Sequence, residues 1–139
     1  MTPLRTIAVG FDTSPDSEAA VRWAIDLARD SGADVVLVHA VGLRAHVERD
    51  AIDAELKRAV QRLSEESGLD PRRIRLHVDN GDPCSVMMRA TEPPIGADVL
   101  VVGSRGQGAH AGLLLGSTSL ELAERSTVPI VIVPHGRAG

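Results

Sequence analysis

Five short apolar runs, set between segments of helical pattern, restrict this chain to very few folds. They are RTIAVGF at 5–11, VVLVHAV at 35–41, RIRLHV at 73–78, DVLVVG at 98–103 and VPIVIV at 128–133. Short β-branched runs bounded by Gly, Pro or Asp read as strands. The three Val-rich ones are apolar on both faces, as parallel strands covered by helices require. A helix is expected over 15–30, capped by Ser14 with Pro15 at its first position and stopped by Gly32. Another is expected over 47–67, where Ile52, Leu56, Ala59 and Leu63 share one face and Asp53 and Lys57 form a pair on the exposed side. Gly68 ends it. Asp82-Pro83 opens a third helix, which Pro93-Pro94 breaks early, and 117–125 reads as a fourth. This alternation predicts an α/β fold: an open, five-stranded parallel sheet with right-handed crossovers and helices on both faces. The 139 residues fit one domain, 1–139.

The aliphatic bias decides what the core is made of and what the surface does not do. Phe11 and Trp23 are the only aromatic residues, so Val, Leu, Ile and Ala must fill the interior. Single-stranded nucleic acid is usually stacked on aromatic platforms, which this chain lacks. A net charge of −4 and a pI near 5.7 argue against nucleic acid in general. Cys84 is the one cysteine, so no intramolecular disulfide forms. No apolar run reaches transmembrane length and the first residues carry no signal-peptide pattern, so no membrane association is expected and the chain reads as cytosolic.

The chemistry concentrates in VVGSRGQGAHAGLLLGST, residues 101–118. Ligands of open α/β sheets sit at the C-terminal ends of the strands, where the strand order reverses. In an order 3-2-1-4-5 that point lies between strands 1 and 4. Strand 1 ends at Asp12 and strand 4 runs into Gly103 and Gly106, so the glycine-rich loop falls beside the crevice. The spacing is Gly103-x2-Gly106-x9-Gly116-Ser117. Gly103 and Gly106 allow close backbone approach to a ligand. Gly116, Ser117, Thr118 and Ser119 open the last helix, where free N–H groups and the helix dipole favour an anion such as phosphate. A P-loop also uses a Lys before its Ser or Thr, and here that position is Gly116. The loop is therefore expected to hold phosphate through backbone and hydroxyl groups without efficient turnover.

Several side chains have two readings. Asp12 is a ligand contact or a turn residue. Arg105 is a phosphate partner or a solvated cation. His39 reads as packed, and His110 as an exposed loop histidine. Cys84, near a helix start, is a thiol of lowered pKa or a small buried hydrophobe, the second being favoured.

At these residues the sequence resembles the universal stress protein family. The matching pieces are IAVGFDTSPDSEAAVRWA, VVLVHAV, GDP at 81–83, ADVLVVGSRGQGAHAGLLLGSTS and VPIVIVP, and the glycine spacing is that of the family's ATP-binding branch. The resemblance implies a Rossmann-like sheet of order 3-2-1-4-5. It implies a homodimer and ATP, or another adenine nucleotide, in the crevice, with Mg²⁺ as a candidate companion. By similarity Gly10 and Asp12 lie by the adenosine, Ala40 and Val41 edge the adenine, and Val102 and Gly103 line the nucleoside side. Gly106, Gly116, Ser117 and Ser119 then meet ribose and phosphates. Thr13 departs from the pattern, many relatives having Gly there. The function implied is a nucleotide-binding stress-response protein. Alternatives are a slow ATPase or phosphotransfer enzyme and a nucleotide-free interaction module. A phosphoacceptor receiver domain is discounted, because VPIVIVPHG lacks the Lys it needs after strand 5.

In that order strand 5 is an edge. VPIVIVP has no charge to protect it, and open hydrophobic edges are paired, covered or charged in stable proteins. A homodimer through residues 129–134 is expected.

Overall fold

The computed structural model describes residues 3–42, 49–104 and 116–134. Five strands, β1 (Thr6–Gly10), β2 (Asp34–Val41), β3 (Ile74–Asn80), β4 (Val99–Gly103) and β5 (Ile130–Val133), form one sheet in the order β3-β2-β1-β4-β5. Every pairing is parallel, as the double-sided apolar runs require. The register sets Gly10 opposite Val38, and Val9 opposite Val101. Asp98 fixes where β1 starts, its carboxylate accepting from the N–H groups of Arg5 and Thr6 at 2.9 and 3.0 Å.

Four helices, α1 (Pro15–Ser31), α2 (Arg49–Ser67), α3 (Pro83–Arg89) and α4 (Ser117–Arg125), cover the two faces, and a 3-10 turn at Pro71–Arg73 precedes β3. Strand side chains alternate between faces, so the core divides in two. Ile7, Val9, Phe11, Leu37 and Val101 pack with residues of α1 and α2. Ala8, Val36, Val38, Leu100 and Val102 pack with Cys84, Val86 and Met87 of α3 and Leu122 of α4. The buried side of α1 is rich in Ala20, Ala24 and Ala28, small residues that let a helix lie close on a sheet without large aromatics.

The local signals work as read. Ser14 accepts from the Ser17 N–H at 3.2 Å, and Asp82 does the same for Ser85 at 3.0 Å. The Ser85 bond holds the Asp82 carboxyl below the usual carboxylate range. Gly32 closes α1 at φ 81°, a left-handed conformation that favours glycine, and its N–H reaches the Ala28 carbonyl. Arg73 reinforces that end by donating to the carbonyls of Ala28 and Ala33 at 2.7 and 2.6 Å. Two cross-helix ion pairs, Arg22–Glu66 and Arg62–Glu18, join α1 to α2. The expected Asp53–Lys57 pair is not among the ion pairs of the described residues; Lys57 is exposed and Asp53 half-buried, and water competes for the exposed ammonium. The α3 helix ends at Arg89, ahead of Pro93-Pro94.

Candidate functional site

The order of strands reverses between β1 and β4, and the residues that leave those two strands build the site. Gly10 ends β1 on the α3 side, where an added Cβ would stand 3.3 Å from Val102 Cγ1 and 3.5 Å from Met87 Sδ. Asp12 follows in a tight turn. One of its carboxylate oxygens accepts from the Ser14 N–H at 3.0 Å, and its own N–H donates to Ser17 Oγ at 3.3 Å. The turn reading of Asp12 is therefore realised. Thr13 sits at φ 67°, a region that branched side chains rarely enter. That is the position the sequence marked as a departure from glycine.

The last residue of β4, Gly103, lies against the first turn of α1. A Cβ there would come within 2.7 Å of the Asp16 carbonyl oxygen. The glycine is needed for this contact within the fold. Next to it Ser104 is buried, its hydroxyl donating to the Asp16 carboxylate at 3.2 Å and its N–H to the Val133 carbonyl at 3.0 Å. The Ser104 carbonyl accepts from the Gly116 N–H at 2.6 Å, so the chain leaves and re-enters at one point. Arg105, Gly106 and His110 lie outside the described residues.

Gly116 precedes α4 as its cap, at φ −76° and ψ 167°, and offers no side chain to the helix's first N–H groups. The three hydroxyl residues that follow are not equivalent. Ser117 is exposed and Thr118 half-buried. Ser119 is 2 % exposed, and its hydroxyl donates to the Gly103 carbonyl at 2.8 Å. Ser119 thus fastens α4 to the end of β4, while Ser117 stands at the open helix start.

On the other flank, β2 contributes His39, Ala40 and Val41. His39 Nδ1 lies 2.8 Å from the Phe11 carbonyl. A carbonyl only accepts, so Nδ1 carries the proton and the ring is a packed bridge between β1 and β2. Ala40 packs with the α3-side cluster that includes Val102, whereas Val41, 6 % exposed, points to the opposite face. Gly10, Ala40 and Val102 therefore share a wall, and Val41 reaches it only through its backbone.

Sequence reasoning missed Asp16 and Ser104. Asp16 reads as a common first-turn acid and Ser104 as one polar residue of a loop. Only their meeting between α1 and β4 marks them. Cys84 is settled as a buried residue. Burial, with Glu121 beside it, pushes its thiol above the ordinary value. Among the described residues, no group of His, Cys, Asp and Glu is arranged to hold a metal ion, and no helix is long and apolar enough to cross a membrane.

Comparisons with known proteins agree on one family. The family profile described as the Universal stress protein family matches residues 3–134. A universal stress protein of Mycolicibacterium smegmatis is 32 % identical over 94 % of this chain and 48 % of its own length. One from Mycobacterium tuberculosis is 30 % identical over the same shares. The chain thus spans about half the length of the curated relatives it matches. Among solved structures, the fold of a universal stress protein from Lactobacillus plantarum matches with a TM-score of 0.81 at 17 % identity, over 96 % of this chain and 99 % of that one. A universal stress protein crystallised in complex with cAMP matches with a TM-score of 0.74 at 30 % identity, over 97 % of this chain and 100 % of that one.

Proposed function

The chain belongs to the universal stress protein family, and we propose that its crevice between β1 and β4 binds an adenine nucleotide, ATP foremost, in a stress-response role. The observation that carries this reading is the start of α4. A helix with no side-chain cap is tied by Gly116 and Ser119 to the end of β4, at the switch point. Its first N–H groups and dipole favour an anion there, by about 0.3–1 kcal/mol when exposed and up to about 2 kcal/mol when partly buried. The similar protein bound to cAMP supports an adenine nucleotide as the source of that anion.

In this reading Gly10, Ala40 and Val102 form an apolar wall for the nucleoside, with Asp12 and the backbone of Val41 at its edge. Gly103, Arg105, Gly106, Gly116, Ser117 and Thr118 meet ribose and phosphates. Ser119 acts through Gly103, whose carbonyl it holds. Mg²⁺ is a candidate companion of the phosphates. The nucleotide is bound without efficient turnover, since the P-loop Lys position before Ser117 holds Gly116. In this reading residues 1–139 form one domain, placed in the cytosol and paired as a homodimer through β5.

Two measurements test this. Nucleotide released on denaturing the purified protein is expected to contain adenine, by mass spectrometry. Calorimetric titration of nucleotide-free protein is expected to show saturable ATP binding. Absence of binding to ATP, ADP and cAMP alike overturns the reading.

A further inference from the structure

Ser104 has a partner for each of its polar groups. Its N–H donates to the Val133 carbonyl at 3.0 Å and its hydroxyl to the Asp16 carboxylate at 3.2 Å, while its carbonyl accepts from the Gly116 N–H at 2.6 Å. Ser104 is 8 % exposed and Asp16 7 %. The end of β5, the first turn of α1 and the start of α4 therefore meet on one buried residue at the end of β4. Ser119 adds a tie from α4 to the same strand end, donating to the Gly103 carbonyl at 2.8 Å.

A carboxylate is costly to bury, and replacing both partners of such a bond by apolar groups of similar shape is often nearly neutral. Packing thus gives no reason for an acid and a hydroxyl at this place. Direction gives one. The Val133 bond fixes the peptide plane ahead of Ser104 but not rotation about the N–Cα bond. The hydroxyl, held by Asp16, opposes that rotation and so aims the Ser104 carbonyl at Gly116. Gly116 in turn begins α4, whose first N–H groups have no side-chain cap.

The geometry points to Asp16 and Ser104 as positioning residues of the phosphate end of the crevice, an inference that rests on the nucleotide reading above. Asp16 acts through Ser104: the carboxylate holds the hydroxyl, Ser104 holds Gly116, and the N–H groups at the start of α4 keep the direction an anion needs. In this assignment neither side chain touches the nucleotide. Asp16 serves as a hydrogen-bond acceptor, and its charge, having the sign of a phosphate, does not assist.

Calorimetry with ATP and adenosine tests this, beside amide hydrogen exchange of the nucleotide-free protein by NMR. Ser104→Ala and Asp16→Ala are each expected to weaken ATP about threefold to tenfold, the value of one neutral hydrogen bond, and to leave adenosine nearly unchanged. In both, the Gly116 N–H is expected to exchange faster. Asp16→Asn keeps an acceptor without the charge, and is expected to keep or raise ATP affinity and to keep the Gly116 protection. The double alanine variant is expected to bind ATP no more weakly than either single one, because the two groups form one path. A pair of purely structural use would instead lower the melting temperature while ATP and adenosine weakened together. The inference is overturned by equal loss of both ligands, by Asp16→Asn binding as weakly as Asp16→Ala, by additive losses in the double variant, or by unchanged Gly116 exchange. Should Ser104→Ala not fold, the two Asp16 variants decide alone. Absence of ATP binding by the unmodified protein is a separate result, which overturns the nucleotide reading and the phosphate role of this pair with it.

Discussion

Gly103 has no room for a side chain, because a Cβ there would sit 2.7 Å from the carbonyl oxygen of Asp16. The neighbouring atom is backbone, in the first turn of α1, and cannot swing aside. Gly103→Ala is therefore expected to push α1 away from β4 and to cost about 1–3 kcal/mol of stability. Urea unfolding checks this. Unchanged stability would mean that the contact relaxes freely.

Thr13 gives the opposite expectation. Its φ of 67° holds a branched residue in a region that costs about 1–3 kcal/mol. Glycine removes that strain but adds back about 0.5–1 kcal/mol of unfolded-chain entropy. Thr13→Gly should raise stability by about 1 kcal/mol, read as a higher thermal midpoint. A lower midpoint would show that Thr13 makes contacts worth more than its strain.

The two serines of α4 separate a ligand contact from a positioning residue. Ser117 is exposed at the helix start, so Ser117→Ala should weaken ATP about tenfold and leave adenosine nearly unchanged, as loss of a hydrogen bond to a charged group implies. Ser119 spends its hydroxyl on the Gly103 carbonyl. Ser119→Ala should weaken ATP and adenosine equally and destabilise the fold by about 1 kcal/mol. Calorimetry with both ligands distinguishes the pair, and a phosphate-selective loss in Ser119→Ala would move its hydroxyl into the site.

Ile130 and Ile132 both pack, half-buried, on the α4 side of the edge strand β5. Pairing β5 with that of a second copy would satisfy its outer backbone groups and be two-fold symmetric. Ile132→Lys should convert dimer to monomer or aggregate in light scattering. A monomeric unmodified protein at high concentration would dispose of this interface.

The sequence by itself determined the elements and most of their ends. Ser14, Gly32 and Asp82 act within a few residues of where they stand, so their bonds follow from local spacing. The three Val-rich runs determined a parallel sheet for the same reason: strands apolar on both faces need cover on both. The Gly116 helix start was legible too, since a glycine before a run of hydroxyl residues is a local pattern. Tertiary structure alone decided how the candidate site is held. Ser104 reaches Asp16 across 88 residues of chain, and Gly103 must be glycine only because α1 happens to land there. Ser119 and Ser117 look alike in sequence, yet one faces a carbonyl of β4 and the other faces water. Which of two similar groups is buried depends on the neighbours that folding supplies, and those neighbours are set by how the crossovers stack α1 and α4 against the same strand end.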